Sequence, residues 1–267
     1  MSQMTERRVD VRGGQLPVLV QAGSPTALVF LHYWGGSRRT FAPVIAGLTA
    51  GATVVSYDQR GWSTARELPG PYGLAELADD VLAVVGELGL GRYVLAGHSM
   101  GGKVAQLVAA RRPRGLAGLA LIAPAPPKPA VNAEAAEALS HAYDSEATVS
   151  DALEHVLTHR PLPADLREQV IADSLAAGDE ARLAWPRHGI TADITAAAAA
   201  IDVPVQVLAG QHDQVEPPAV LEANLLPVIP GARLTVIEGT GHLSPLEAPG
   251  PLAGQLDQFV TGLSGRP

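Results

Sequence analysis

With 267 residues, 47% of them hydrophobic and 17% charged, the chain can bury a large core and does not have the composition of a disordered protein. A formal charge of −8 without a concentrated basic face argues against nucleic acid or an anionic membrane as partner. The absence of cysteine excludes disulfides, thiolate nucleophiles and zinc–thiolate sites. Residues 1–12 are polar and carry no signal-peptide run, and no stretch approaches the roughly 20 apolar residues of a membrane span. A cytoplasmic protein without a membrane partner is the expectation.

Residues 7–11 and 16–20 flank Gly13-Gly14 and read as an antiparallel hairpin. The segments 27–32, 53–57, 93–97 and 116–123 are short, nearly unbroken apolar runs, which suits parallel strands covered on both faces. Between them lie helix-length segments at 40–48, 74–88 and 101–111. In the second, Leu74, Leu77, Ala78, Val81, Leu82, Val85 and Leu88 recur at helical spacing, while Glu76, Asp79, Asp80 and Glu87 take other positions. Gly89 and Gly91 end it. The basic run Arg111-Arg112-Pro113-Arg114 reads as the charged end of the next helix. Strand alternating with helix predicts a mostly parallel α/β sheet with helices on both faces.

The rhythm changes after Ala123. Four prolines between 124 and 129 make a stiff exit, and 133 to about 190 reads as alanine-rich helix without strand signals. Strands resume at 203–209 and 233–237, followed by helices at 217–226 and 251–263. A helical block between two strands of one sheet predicts a lid over the sheet's C-terminal edge. The expected organisation is a core of 1–124 and 191–267 with a helical lid at 125–190.

Gly97-His98-Ser99-Met100-Gly101 falls where a strand must turn into a helix, the context in which the G-x-S-x-G pattern projects an exposed, strained serine. The amide of the next residue, Met100, would point into the same space. A serine hydroxyl needs a base, and the base needs an orienting carboxylate. Asp213 follows the strand at 203–209 and His242 follows that at 233–237, so all three can converge at C-terminal strand ends in the order Ser, Asp, His. Glu216, in the same loop as Asp213, ranks as second candidate acid, with Glu238 also a rival. The glycine-rich segment after the strand at 27–32, His32-Tyr33-Trp34-Gly35-Gly36, can supply a second oxyanion donor.

Together these residues resemble the α/β-hydrolase superfamily, in its serine-nucleophile esterase and cofactor-free haloperoxidase branch, over nearly the whole chain. The resemblance implies an eight-stranded sheet, a lid between strands 6 and 7, and a Ser99–Asp213–His242 triad. It further implies that His242 serves as base and then acid, with the amides of Trp34 and Met100 as the oxyanion hole. Asp58-Gln59-Arg60-Gly61 is similar to the family's structural turn and is assigned no chemistry. The family loop usually reads His-Gly-X, whereas Tyr33 stands in the glycine place here; its phenol is a candidate contact to substrate or oxyanion.

His155 and His159 stand one helical turn apart, but the HExxH glutamate and a third ligand are lacking, so no metal is expected. Lys103 is four residues from Ser99, not the three of S-x-x-K enzymes, and is not expected to be the base. No P-loop and no strand-borne G-x-G-x-x-G indicates a nucleotide, and no cofactor is expected. The expected function is hydrolysis of a small, mostly apolar ester, thioester, lactone or related acyl substrate. The alternatives are non-hydrolytic chemistry on the same fold (perhydrolase or haloperoxidase, lyase, oxygenase) or a small-molecule binding protein of low turnover.

Overall fold

The computed structural model describes residues 3–264. Its first strands, β1 (Thr5–Val11) and β2 (Gly14–Gln21), form the antiparallel hairpin, with Gly13 at φ 86° in the tight turn. Next come β3 (Ser24–Leu31), helix α1 (Ala42–Gly47), β4 (Ala52–Tyr57), α2 (Leu74–Glu87), β5 (Arg92–His98), α3 (Met100–Ala110) and β6 (Leu116–Ile122). Strand β3 starts earlier than the apolar run does, and Pro25, which has no N–H to donate, coincides with a register shift against β4.

The sheet has eight strands. After β6 come five helices, then β7 (Val205–Gly210) and β8 (Arg233–Ile237), and the spatial order is β1-β2-β4-β3-β5-β6-β7-β8. All pairings from β4 to β8 are parallel; β2 runs antiparallel to both β1 and β4.

The two-residue period of the strands sorts their apolar side chains into two cores. Ala27, Val29 and Leu31 of β3 belong with Leu95, Leu119 and Leu121 to a cluster closed by Leu77 and Val81 of α2 and Val104 and Val108 of α3. Leu28 and Phe30 point the other way, to Val94, Ala96 and Ile122, under Val44 of α1 and Leu252 and Leu256 of the last helix. Covering on both faces is why these strands read as unbroken apolar runs. Each fully buried large aliphatic side chain contributes roughly 1.5–3 kcal/mol. The central sheet is therefore a rigid platform for whatever sits at its C-terminal edge.

The segment between β6 and β7 is not one long helix. It is α4 (Ala133–Ser140), α5 (Glu146–Ala152), α6 (Ala164–Ser174), α7 (Asp179–Ala184) and α8 (Thr195–Ala198), and no strand lies among them. Pro161, Pro163 and Gly178 interrupt the periodicity. Both α5 and α7 run on into a wide turn, closed by Thr158 N–H to Leu153 C=O (3.2 Å) and by Ile190 N–H to Trp185 C=O (2.9 Å). Such π-type turns recur at functional sites. The chain ends with α9 (Pro218–Asn224), α10 (Ser244–Glu247) and α11 (Pro249–Ser264).

The basic run 111–114 lies where expected. Arg111 caps α3 and pairs with Asp79 of α2, and Arg112 reaches Asp202. The two histidines of the interhelical block part company. His155 is exposed beside Asp151, whereas His159 lies past the helix end and stacks on His212 at 3.7 Å. A helical i, i+4 face never forms, because the wide turn ends at Leu157.

Candidate active site

Strand β5 delivers Ser99 to the C-terminal edge of the sheet in a conformation that side-chain-bearing residues rarely adopt, φ 52° and ψ −112°. Two anchors hold the strain: Ser99 N–H donates to Ile122 C=O (3.0 Å) and Ser99 C=O accepts from Ala125 N–H (3.2 Å). The flanking glycines are required by close approach. A Cβ on Gly97 would strike the carbonyl of Gly101, and one on Gly101 would strike the carbonyls of Leu31 and His32. The turn thus packs the start of α3 against the end of β3.

Asp213 and His242 meet there. The carboxylate of Asp213 accepts three hydrogen bonds. Val215 and Glu216 donate their N–H groups to Oδ1 (2.8 and 2.9 Å), and His242 Nδ1 lies 2.9 Å from Oδ2. Burial pushes the Asp213 carboxyl up, but the nearby His242, its hydrogen bond and the two amides prevail and hold it below the usual carboxylate range. With Asp213 ionised, Nδ1 of His242 carries the proton and Nε2 keeps its lone pair. The aspartate does not cap α9, whose N-terminal flank is Pro217.

Ser99, Asp213 and His242 are 7%, 4% and 2% exposed, so little bulk water reaches them. Ser99 and His242 line one cavity of about 150 Å³. Its wall is otherwise almost wholly apolar. Tyr33 and Trp34 come from the loop after β3; Leu139, Tyr143, Leu157, Trp185 and Ile190 come from the helices between β6 and β7. Glu216 also opens onto it.

The loop after β3 is braced from below. His32 Nδ1 bonds Tyr33 C=O (2.7 Å), while Nε2 accepts from Gln59 N–H (2.9 Å). A carbonyl can only accept and an amide only donate, so His32 is the neutral Nδ1–H tautomer. Its burial lowers its proton affinity in the same direction, although Asp58 opposes this. Asp58 itself ties Arg38 N–H and Thr64, and Arg60 makes a two-pronged pair with Asp80 at 2.9 and 2.6 Å. The segment 58–61 is structural, as its sequence suggested.

Among the described residues no protein acceptor takes the backbone N–H of Trp34 or of Met100. An unpaired amide beside a strained serine is able to receive a developing oxyanion, and Trp34 lines the same cavity as Ser99. Tyr33 is buried with its ring 5.0 Å from that of His98, while the Tyr143 phenol donates to Trp34 C=O (3.2 Å) and the Ser174 hydroxyl donates to Gly35 C=O (3.0 Å). Burial pushes the Tyr33 phenol well above its ordinary value.

Two residues shape the site without having been singled out for it in the sequence. His98 donates from Nε2 to the His242 carbonyl (2.9 Å) and so pins the histidine loop to β5. Burial, then the neighbouring His242, push its pKa down to about 3, which keeps it neutral. Glu247 holds the same loop through Gly241 N–H (2.8 Å) and grips His159 N–H (2.7 Å), so the interhelical segment and the histidine loop share one carboxylate. A histidine inside the G-x-S-x-G pattern was the available signal for the first. Glu247 gave none, since its partners are backbone groups 6 and 88 residues away.

A family model described as Alpha/beta hydrolase family matches residues 28–255. A protein named carbamate hydrolase RutD from Rhizobium rhizogenes is 38% identical over 89 residues, a match that spans only 33% of this chain and 34% of that protein. The non-heme haloperoxidase of Rhodococcus erythropolis is 29% identical over 237 residues, covering 82% of this chain and 86% of its own. Among solved structures, an esterase from Exiguobacterium antarcticum superposes with a TM-score of 0.83 at 22% identity, over 98% of this chain and 100% of the esterase. At that identity the likeness bears on the fold.

Proposed function

The chain belongs to the alpha/beta hydrolase family, and on that footing we propose that it hydrolyses a small, mostly apolar ester, thioester, lactone or related acyl compound through an acyl-Ser99 intermediate. The observation that carries this reading is the Asp213–His242 hydrogen bond, whose imidazole lines the same mostly apolar cavity as a serine at φ 52°. In this mechanism His242 Nε2 takes the Ser99 proton as Oγ attacks the carbonyl carbon. The oxyanion is received by the amides of Trp34 and Met100, each worth about 3–4 kcal/mol of barrier. His242 then gives the proton to the leaving group. Water attacks the acyl-serine, His242 takes its proton, and Ser99 leaves protonated.

The helices between β6 and β7 act as the lid: they supply most of the apolar wall and exclude water, which strengthens every charge interaction inside. The volume of about 150 Å³ suits an acyl group near benzene in size, since an apolar cavity of that order accepts such a ligand. Tyr33 is a substrate contact.

A fluorophosphonate probe should label the wild-type protein and leave Ser99→Ala unlabelled, and a panel of p-nitrophenyl esters should be turned over only by the wild type. Equal labelling of both proteins, or ester rates no better than those of Ser99→Ala, would sink the acyl-serine mechanism. The likeness to a haloperoxidase favours one second reading, in which hydrogen peroxide instead of water attacks the acyl-serine and a peracid leaves. Peracid formation on adding peroxide and a carboxylic acid distinguishes the two.

A further inference from the structure

Glu216 has no part in the mechanism above, yet it is the one carboxyl side chain on the cavity wall. It is 3% exposed, and among the described residues its side chain makes neither a hydrogen bond nor an ion pair; its only bond is the backbone N–H to Asp213. Its carboxyl oxygens are not among the buried side-chain atoms left without a partner; they open onto the cavity and are available to whatever occupies it. Here the open side is the cavity that it lines together with Tyr33, Leu157 and Trp185.

We propose that Glu216 is a specificity residue, which receives an uncharged donor–acceptor group, an amide above all, at the far end of a small acyl substrate. Two features select that chemistry. Among the described residues the rest of the wall offers no second carboxylate or cationic side chain of Lys or Arg to solvate an ion, and the Tyr143 phenol is already engaged, donating to Trp34 C=O (3.2 Å). The charged groups facing Glu216 are Asp213 on its own loop and Lys103 from α3. Burial first, then Asp213, push its carboxyl well above the usual range against the opposing Lys103, which favours the protonated form. A neutral carboxyl has one donor and one acceptor side by side, and so has a primary amide. An alkylammonium would have to enter a mostly apolar pocket, and Asp213, which His242 already occupies, does not line it.

The inference rests on the proposed use of this cavity as the acyl site, and its test is built to fail separately. In the Ser99→Ala background no acyl-enzyme forms, so ligand binding reads Glu216 alone. Pentanamide should bind this protein more tightly than pentylammonium does. Adding Glu216→Leu should weaken pentanamide binding tenfold or more, whereas Glu216→Gln, which keeps a donor and an acceptor, should stay within a few-fold. In the enzyme with Ser99 intact, kcat/KM for the p-nitrophenyl ester of a glutaramoyl group should equal or exceed that for its apolar isostere, the 5-methylhexanoyl ester. Glu216→Leu should reverse that order through KM. Unchanged pentanamide affinity in the leucine variant, tighter binding of the ammonium, or a wild-type preference for the 5-methylhexanoyl ester each overturns the proposal. Should the leucine variant not fold, the comparison of pentanamide with pentylammonium and the wild-type ester ratio still decide it. Loss of turnover on all esters with amide binding intact would instead remove the acyl-serine reading.

Discussion

Exchanging Asp213 for asparagine alters a single oxygen, and the hydrogen-bond geometry dictates which one. In the native site Oδ1 accepts two backbone N–H groups, from Val215 and Glu216, while Oδ2 faces His242 Nδ1. An asparagine NH₂ turned toward those amides would leave three donors facing one another, at about 1–3 kcal/mol for each buried donor left unpaired. The amide oxygen therefore stays with the backbone and the NH₂ turns to the imidazole. His242 can accept that bond only with Nδ1 deprotonated, which moves its proton to Nε2, the nitrogen that receives the Ser99 proton in the proposed mechanism. The base is disabled in place while the fold keeps its contacts. A tautomer lock of this kind lowers turnover by about 10⁴-fold, which at 1.36 kcal/mol per decade is about 5.4 kcal/mol of barrier. The assay is kcat on a p-nitrophenyl ester alongside thermal unfolding of the same preparations. A folded Asp213→Asn protein that retains more than a tenth of wild-type kcat would refute the argument that Asp213 sets the tautomer of His242.

Gly101→Ala should disturb the elbow from the back, because the added methyl meets the carbonyls of Leu31 and His32. Overpacking of this kind costs about 1–3 kcal/mol, visible as a fall in Tm of several degrees, and turnover should drop with it as the loop bearing Trp34 shifts; a wild-type Tm and rate would show that the approach is not as close as described. Lys103 is fully buried, with burial holding its amine down at about 8. Between pH 8 and its unfolded value near 10.4 the unfolded chain binds a proton that the folded chain does not, so this group makes stability rise with pH across that window. Lys103→Met should accordingly be more stable than wild type at pH 7, by up to roughly 3 kcal/mol, with the advantage fading toward pH 10. Denaturant titrations at both pH values check it, and a constant difference would contradict the linkage.

The sequence by itself determined the layered sheet and the position of Ser99. Both rest on local physics: short unbroken apolar runs bounded by glycines and polar turns suit strands covered on two faces, and a glycine–serine–glycine pattern between strand and helix suits a tight turn. The end of α2 was equally readable, for Gly89 adopts the left-handed conformation, φ 62°, that its lack of a side chain permits. The separation of Asp213 and His242 in sequence, 29 residues, hid nothing, since each follows a strand whose C-terminal end must lie at the same edge. Other features were decided by tertiary structure alone. Residues 133–190 carry a helical composition, but where that helix breaks depends on prolines, wide turns and contacts with the histidine loop, such as Leu243 N–H on Leu157 C=O at 2.9 Å. The anchoring of His242 by His98 joins groups 144 residues apart. Glu216 and Asp213 are carboxylates of one loop, three residues apart, and no local pattern tells them apart. One turns to an imidazole and two amides and is held ionised. The other turns to an apolar cavity, where burial and the neighbouring Asp213 push it toward the protonated form against the opposing Lys103.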